Sequence, residues 1–150
     1  MYVSGTEYTR TPEERADPFL SWKRDDKAFF ASGACHILSF FFTILYPDNG
    51  YEIIFIKPKN RLPGSHVYVK SGDWAFDFNG WSKEAELLNV TEGAYGKQYP
   101  GWGYEKIVVK DDLETFCKQN YHRPPAYFAY LPWERTYKFI RQFSSNPPKS

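Results

Sequence analysis

The sequence predicts an α+β domain: a cysteine-bearing helix towards the N-terminus, a small antiparallel sheet and further helices. Three observations predict it. Residues 65–78 alternate β-branched or aromatic residues with others on both sides of Ser71-Gly72, the pattern of a hairpin with a two-residue turn. Residues 37–46 form the longest apolar run, too short to cross a bilayer and suited to a helix buried on most sides. Residues 51–57 and 105–110 are further β-rich runs, separated from the hairpin by polar or helix-forming sequence.

Length fits one domain spanning residues 1–150, with the first ~18 and last ~7 residues loosely ordered. A net charge of +1 with no long basic run argues against a nucleic acid or an anionic membrane as partner. Two cysteines make no disulfide framework and point to a reducing compartment. The polar first 20 residues lack a signal-type apolar stretch. The expected location is cytoplasmic, and export as an effector without a cleaved signal is compatible with it.

Taken in order, residues 1–18 are irregular apart from Thr11-Pro12-Glu13-Glu14, where proline and acids suit a helix start. Residues 25–30 form a short helical turn. A helix follows from Ala34 to Tyr46, with Ser32 available to cap it, and Pro47-Asp48-Asn49-Gly50 ends it. Residues 51–57 are a central strand and 58–64 a polar loop with two prolines. After the hairpin, Ser82 caps a short helix to Leu88. Residues 91–103 hold four glycines and Pro100 and read as a long loop of the kind that lines a site. A strand at 105–110, a helix capped by Asp111 or Asp112 and running to Asn120, and a last helix from Pro132 to Phe143 complete the chain. In that last helix Trp133, Tyr137 and Ile140 share a face.

The hairpin positions chemistry. A Ser71-Gly72 turn sets Val69 opposite Trp74, Val67 opposite Phe76 and His66 opposite Asp77. Val67, Val69, Trp74 and Phe76 share an apolar face; His66 and Asp77 share the other, their Cβ atoms about 5 Å apart. At that separation a carboxylate takes one imidazole N–H and leaves the second nitrogen for proton transfer. Ser32-Gly33-Ala34-Cys35-His36 supplies a nucleophile. In a first helical turn Cys35 meets unpaired N–H groups and the positive helix end, both of which favour thiolate. Its own N–H points where an oxyanion would develop. Cys35 attacks, His66 moves the proton, Asp77 orients the ring.

A helix-borne Cys, then a strand-borne His, then Asp one hairpin strand later resembles the papain-like cysteine hydrolase superfamily. The likeness runs over residues 33–80, on Gly33-Ala34-Cys35-His36, His66-Val67-Tyr68-Val69 and Phe76-Asp77-Phe78-Asn79-Gly80. It is nearer to NlpC-type cell-wall peptidases, transglutaminase-like proteins and papain-fold bacterial toxins than to papain itself. The resemblance implies a helix packed on an antiparallel sheet and a thiol hydrolase, amidase, deamidase or acyltransferase acting on a peptide or protein amide, without a cofactor. Papain places a glutamine before its cysteine; this chain has none before Gln98, leaving Ser32, Trp22 or Tyr8 as side-chain oxyanion donors.

Asn79 falls on the face of Asp77, and Trp81, Tyr95, Tyr99 and Trp102 suit the walls of a cleft or a very aromatic core. His36, about 100° round the helix from Cys35, is structural. Cys117 and His122 lack zinc-site spacing, and a metal held by Cys35, His66 and Asp77 is a weaker reading than the triad. The competing function is a non-catalytic module of the same shape that binds peptide or sugar through its aromatics.

Overall fold

The computed structural model describes residues 1–149. The architecture is α+β, with one five-stranded antiparallel sheet among these residues. The chain opens with short helices α1 (Pro12–Ala16), α2 (Pro18–Trp22) and α3 (Asp26–Ala31), then the long α4 (Cys35–Leu45). Strands β1 (Glu52–Pro58), β2 (His66–Ser71), β3 (Trp74–Asp77) and β4 (Gly80–Lys83) follow. Next come α5 (Glu84–Gln98), β5 (Tyr104–Val109), α6 (Leu113–Asn120) and α7 (Trp133–Ile140). The sheet order is β4-β3-β2-β1-β5, so β1 is internal and β5 returns to pair beside it.

Local chemistry accounts for most starts. Thr11 and Glu14 form a reciprocal capping box on α1, and Asp25 and Asp112 cap α3 and α6. The hairpin turn differs from the expected one. Its two central residues are Gly72 and Asp73, with Ser71 paired to Trp74, Lys70 to Ala75 and Val69 to Phe76. Gly72 stands at φ +57°, and it takes the first central position because only glycine adopts that conformation without cost. Each β3 partner thereby moves along by two residues, one full pleat period. His66 and Asp77 stay on a common face, as diagonal rather than facing neighbours.

The expected loop at 91–103 is a second correction. α5 continues to Gln98, while the residues assigned to its start, including Ser82, belong to β4. Gly93 and Gly96 face open space, so their cost of about 1 kcal/mol each is borne by the inner stripe of Leu87, Thr91 and Tyr95. On α7 the buried residues are Thr136, Phe139 and Ile140, and Tyr137 is exposed under Arg141.

α4 packs on the sheet face that carries Val69 and Phe76; Phe42 stacks on Phe76 with ring centres 4.1 Å apart. The opposite face receives the N-terminal segment and α5. Tyr2, in a stretch expected to be loose, is 4% exposed, and its backbone N–H donates to Glu86. At the other end Tyr51 donates to the Ser145 carbonyl and Trp81 Nε1 to that of Ser144 at 2.9 Å, so the tail is tied to the sheet. Among the described residues no helix is long and apolar enough to cross a membrane.

Buried Glu84 holds α5 to that second face. It accepts from the Tyr68 hydroxyl at 2.6 Å and Lys70 at 2.9 Å, and Lys106 lies 3.4 Å away. Burial alone would raise its carboxyl, but Lys70, Tyr68 and Lys106 outweigh that and hold it below 4.5. Glu84→Ala strands the buried Tyr68 hydroxyl and two lysines, so we expect a loss of about 2–4 kcal/mol in chemical denaturation. With the carboxyl held low, this contribution is present above about pH 4.5 and fades as pH falls through the lowered value.

Candidate active site

The site begins at an uncapped helix. Ser32 closes α3 rather than capping α4, Gly33 sits at φ +104°, and Ala34 at the N-cap has no side-chain oxygen to offer. The first intrahelical bond runs from the Leu38 N–H to the Ala34 carbonyl, which leaves the N–H groups of Cys35, His36 and Ile37 without helical partners. One turn on, Ser39 donates to the Val67 carbonyl at 3.1 Å, which brings the N-terminus of α4 to the start of β2, where His66 lies.

His66 is 7% exposed and Asp77 1%. His66 Nε2 donates to Asp77 Oδ2 at 2.9 Å. The same oxygen accepts from the Tyr2 hydroxyl at 2.6 Å, and Oδ1 accepts from the Asn79 N–H at 2.9 Å. Burial alone would push His66 down; the Asp77 hydrogen bond, and after it the Cys35 thiol acting on the same ring, raise it to about 10. Burial and Asp77 also hold the Tyr2 hydroxyl well above its ordinary value, so Tyr2 acts here as a donor. Cys35 itself packs against Phe40, Val67 and Phe116 and is 6% exposed, yet it also lines a cleft of about 720 Å³. Of the three side chains Cys35 alone lines this cleft, and its thiol acts on the buried His66 ring, which is bonded in turn to Asp77.

The other sequence candidates separate. Tyr99 lines the cleft. Trp102 stands behind its wall, donating from Nε1 to the Pro63 carbonyl at 2.8 Å and stacking on Tyr95, which does line it. Asn79 is a positioning residue: its backbone fixes Asp77 and its side chain donates to the Val3 carbonyl at 3.0 Å. Trp81 is not at the site. It packs edge-on to Phe42 and Phe76 in the core under α4, because β4 points it to that face. Of the side-chain oxyanion candidates only Ser32 reaches the cleft; Tyr8 rests on Phe78 and Trp22 lies under Arg135.

His36 does serve structure, donating from Nε2 to the Arg123 carbonyl at 2.8 Å. Burial, then the neighbouring His122, lowers it to about 3, so it stays neutral. Cys117 is buried, and burial pushes its thiol up to about 11.

Four residues at the site escape a reading of the sequence. Tyr2 joins Asp77 across 75 positions, and nothing local announces it. Arg10 and Arg123 line the cleft but look like ordinary surface charges in the chain. Tyr121 carries a faint signal as the residue after α6: it ends that helix in the left-handed conformation at φ +56° and stands 97% exposed on the cleft rim. Among the described residues no group of three or more His, Cys, Asp or Glu is arranged to hold a metal ion. Compared with models of known protein families, with curated proteins and with solved structures, the chain matches none.

Proposed function

We propose that this protein is a papain-like cysteine enzyme that cleaves or transfers an amide-linked acyl group through Cys35, His66 and Asp77. One observation carries the reading: a buried imidazole bonded through Nε2 to a carboxylate, kept protonated by it, beside a thiol at the floor of a cleft. The Cys35 sulfur attacks the carbonyl carbon. The oxyanion that forms meets the unpaired N–H groups of the first α4 turn. As the C–N bond breaks, His66 passes its proton to the leaving amine, and a thioester remains on Cys35. Water, or a second amine in the transfer case, then attacks the thioester, gives its proton to His66 and releases the thiolate. Asp77, held by Tyr2 and Asn79, keeps the ring oriented throughout.

Iodoacetamide labelling followed by peptide mapping tests this. At pH 7 Cys35 is expected to react at least about a hundredfold faster than Cys117, whose thiol is buried without a positive neighbour. Equal, slow labelling of both leaves a binding module with no nucleophile.

A further inference from the structure

We propose that the cleft selects a substrate carrying an anionic group, carboxylate or phosphoryl, next to the bond that Cys35 attacks. The proposal deepens the cysteine-enzyme reading and rests on it. Arg10, Arg15 and Arg123 all line the cleft, and among the described residues the lining contains no Asp or Glu. Acids are close by but committed elsewhere: Glu14 pairs with Arg24 and Asp26 with Arg135. None of the three cleft arginines has a carboxylate partner among the described residues.

Arg10 lies against the backbone that leads into Cys35. Its guanidinium lies on the backbone of Gly33, two residues before Cys35; a Cβ there would stand 2.9 Å from Nη1, so only glycine permits the approach. Its Nε is buried and has no hydrogen-bond partner. A guanidinium donor shut away from water without an acceptor is costly, and within the fold nothing offsets it. Burial, and then the like charges of Arg123 and Arg15, work against the Arg10 charge, as expected of cations gathered for a ligand that is not part of the chain. Arg123 is itself held in place, donating from Nη2 to the Arg15 carbonyl at 3.2 Å. Planar forks of this kind match carboxylate and phosphoryl oxygens equally well.

Iodoacetate and iodoacetamide separate charge from reactivity. Both alkylate sulfur by forming an S–C bond as iodide leaves, and they differ in a carboxylate against a carboxamide. With each rate on Cys35 normalised to that on 2-mercaptoethanol, iodoacetate is expected to be favoured by at least about tenfold at low salt. Arg10→Gln should cut this preference, the ratio of the two normalised rates on the same protein, about fivefold or more, whatever it does to either rate alone. Arg15→Gln, an exposed change on α1 that leaves packing intact, should cut it partway. A preference that survives both substitutions belongs to the His66 imidazolium alone and overturns the proposal. Protection at constant ionic strength then identifies the source. Slowing by glutarate marks an acidic substrate and slowing by inorganic phosphate a phosphorylated one, while slowing by neither overturns the proposal. Iodoacetamide labelling of Cys35 no faster than of Cys117 sinks the cysteine-enzyme reading itself. Fast labelling without an arginine-dependent preference sinks only the anion selectivity.

Discussion

In a His66→Ala variant, Cys35 is expected to react with iodoacetamide about a hundredfold more slowly at pH 6 than in the parent protein. The reason is the charge state of the ring. His66 is raised to about 10, so an imidazolium faces the thiol across the whole neutral range and gives a thiolate its counter-ion. Without it, alkylation has to wait for an ordinary thiol to ionise, and at pH 6 only about one free cysteine in three hundred is thiolate. The two proteins should differ in the shape of their pH profiles. The variant rate should rise close to tenfold per pH unit until an ordinary thiol ionises, and the parent rate less steeply while the ring stays protonated. The profiles converge once the variant's thiol ionises by itself, at about pH 9. Cys117 reports on folding in the same samples, since it becomes labelled only when the core opens. Amide turnover should fall by about 10²–10⁴, the usual share of a positioned acid and base. Parallel profiles for parent and variant remove His66 from the chemistry.

How much of this could be read from the chain follows from where each signal resides. The triad candidates were legible because local patterns place them: a small-residue approach to an apolar helix puts Cys35 at its start, and strand alternation puts His66 and Asp77 on one face. The face survived a wrong turn register because the slip was by a whole pleat period. The alternation alone was blind to whether Gly72 stood first or second in the turn, and its conformation decides that. α5 was half missed for a different reason. Gly93 and Gly96 carry poor helix propensity, and the burial of Leu87, Thr91 and Tyr95 that overrides it depends on elements far away in the chain. Tyr2 and Arg10 were illegible on the same principle, since both work through tertiary contacts from a segment with no strong pattern of its own. Trp81 shows the limit of reading aromatics from composition: once β4 exists, its pleat sends the indole into the core and away from the cleft.

Asp77→Ala is expected to lower the unfolding free energy by about 3–5 kcal/mol, and the melting temperature by about 6–20 °C for a chain of this size. The carboxylate is the common acceptor for His66 Nε2, the Tyr2 hydroxyl and the Asn79 N–H, and its removal leaves a buried positive ring and a buried hydroxyl without partners. Asp77→Asn keeps the shape and isolates the charge. Asp77 and Cys35 together raise His66 from 6.5 to about 10 against the opposing effect of burial. A raised histidine adds stability that is complete below about pH 6.5 and drains away as pH climbs to about 10. The gap in stability between the parent and Asp77→Asn should therefore be widest near pH 6 and narrow steadily towards pH 10. A gap that holds constant across that range reduces Asp77 to a hydrogen-bond acceptor for the N-terminal segment. The coupling between the two side chains gives a second handle. In a double-mutant cycle with His66→Ala, the pair should show an interaction of about 2–3 kcal/mol at pH 6. Near-additivity means that the carboxylate serves Tyr2 rather than the ring, and a ring without that support has no fixed charge to offer the thiol.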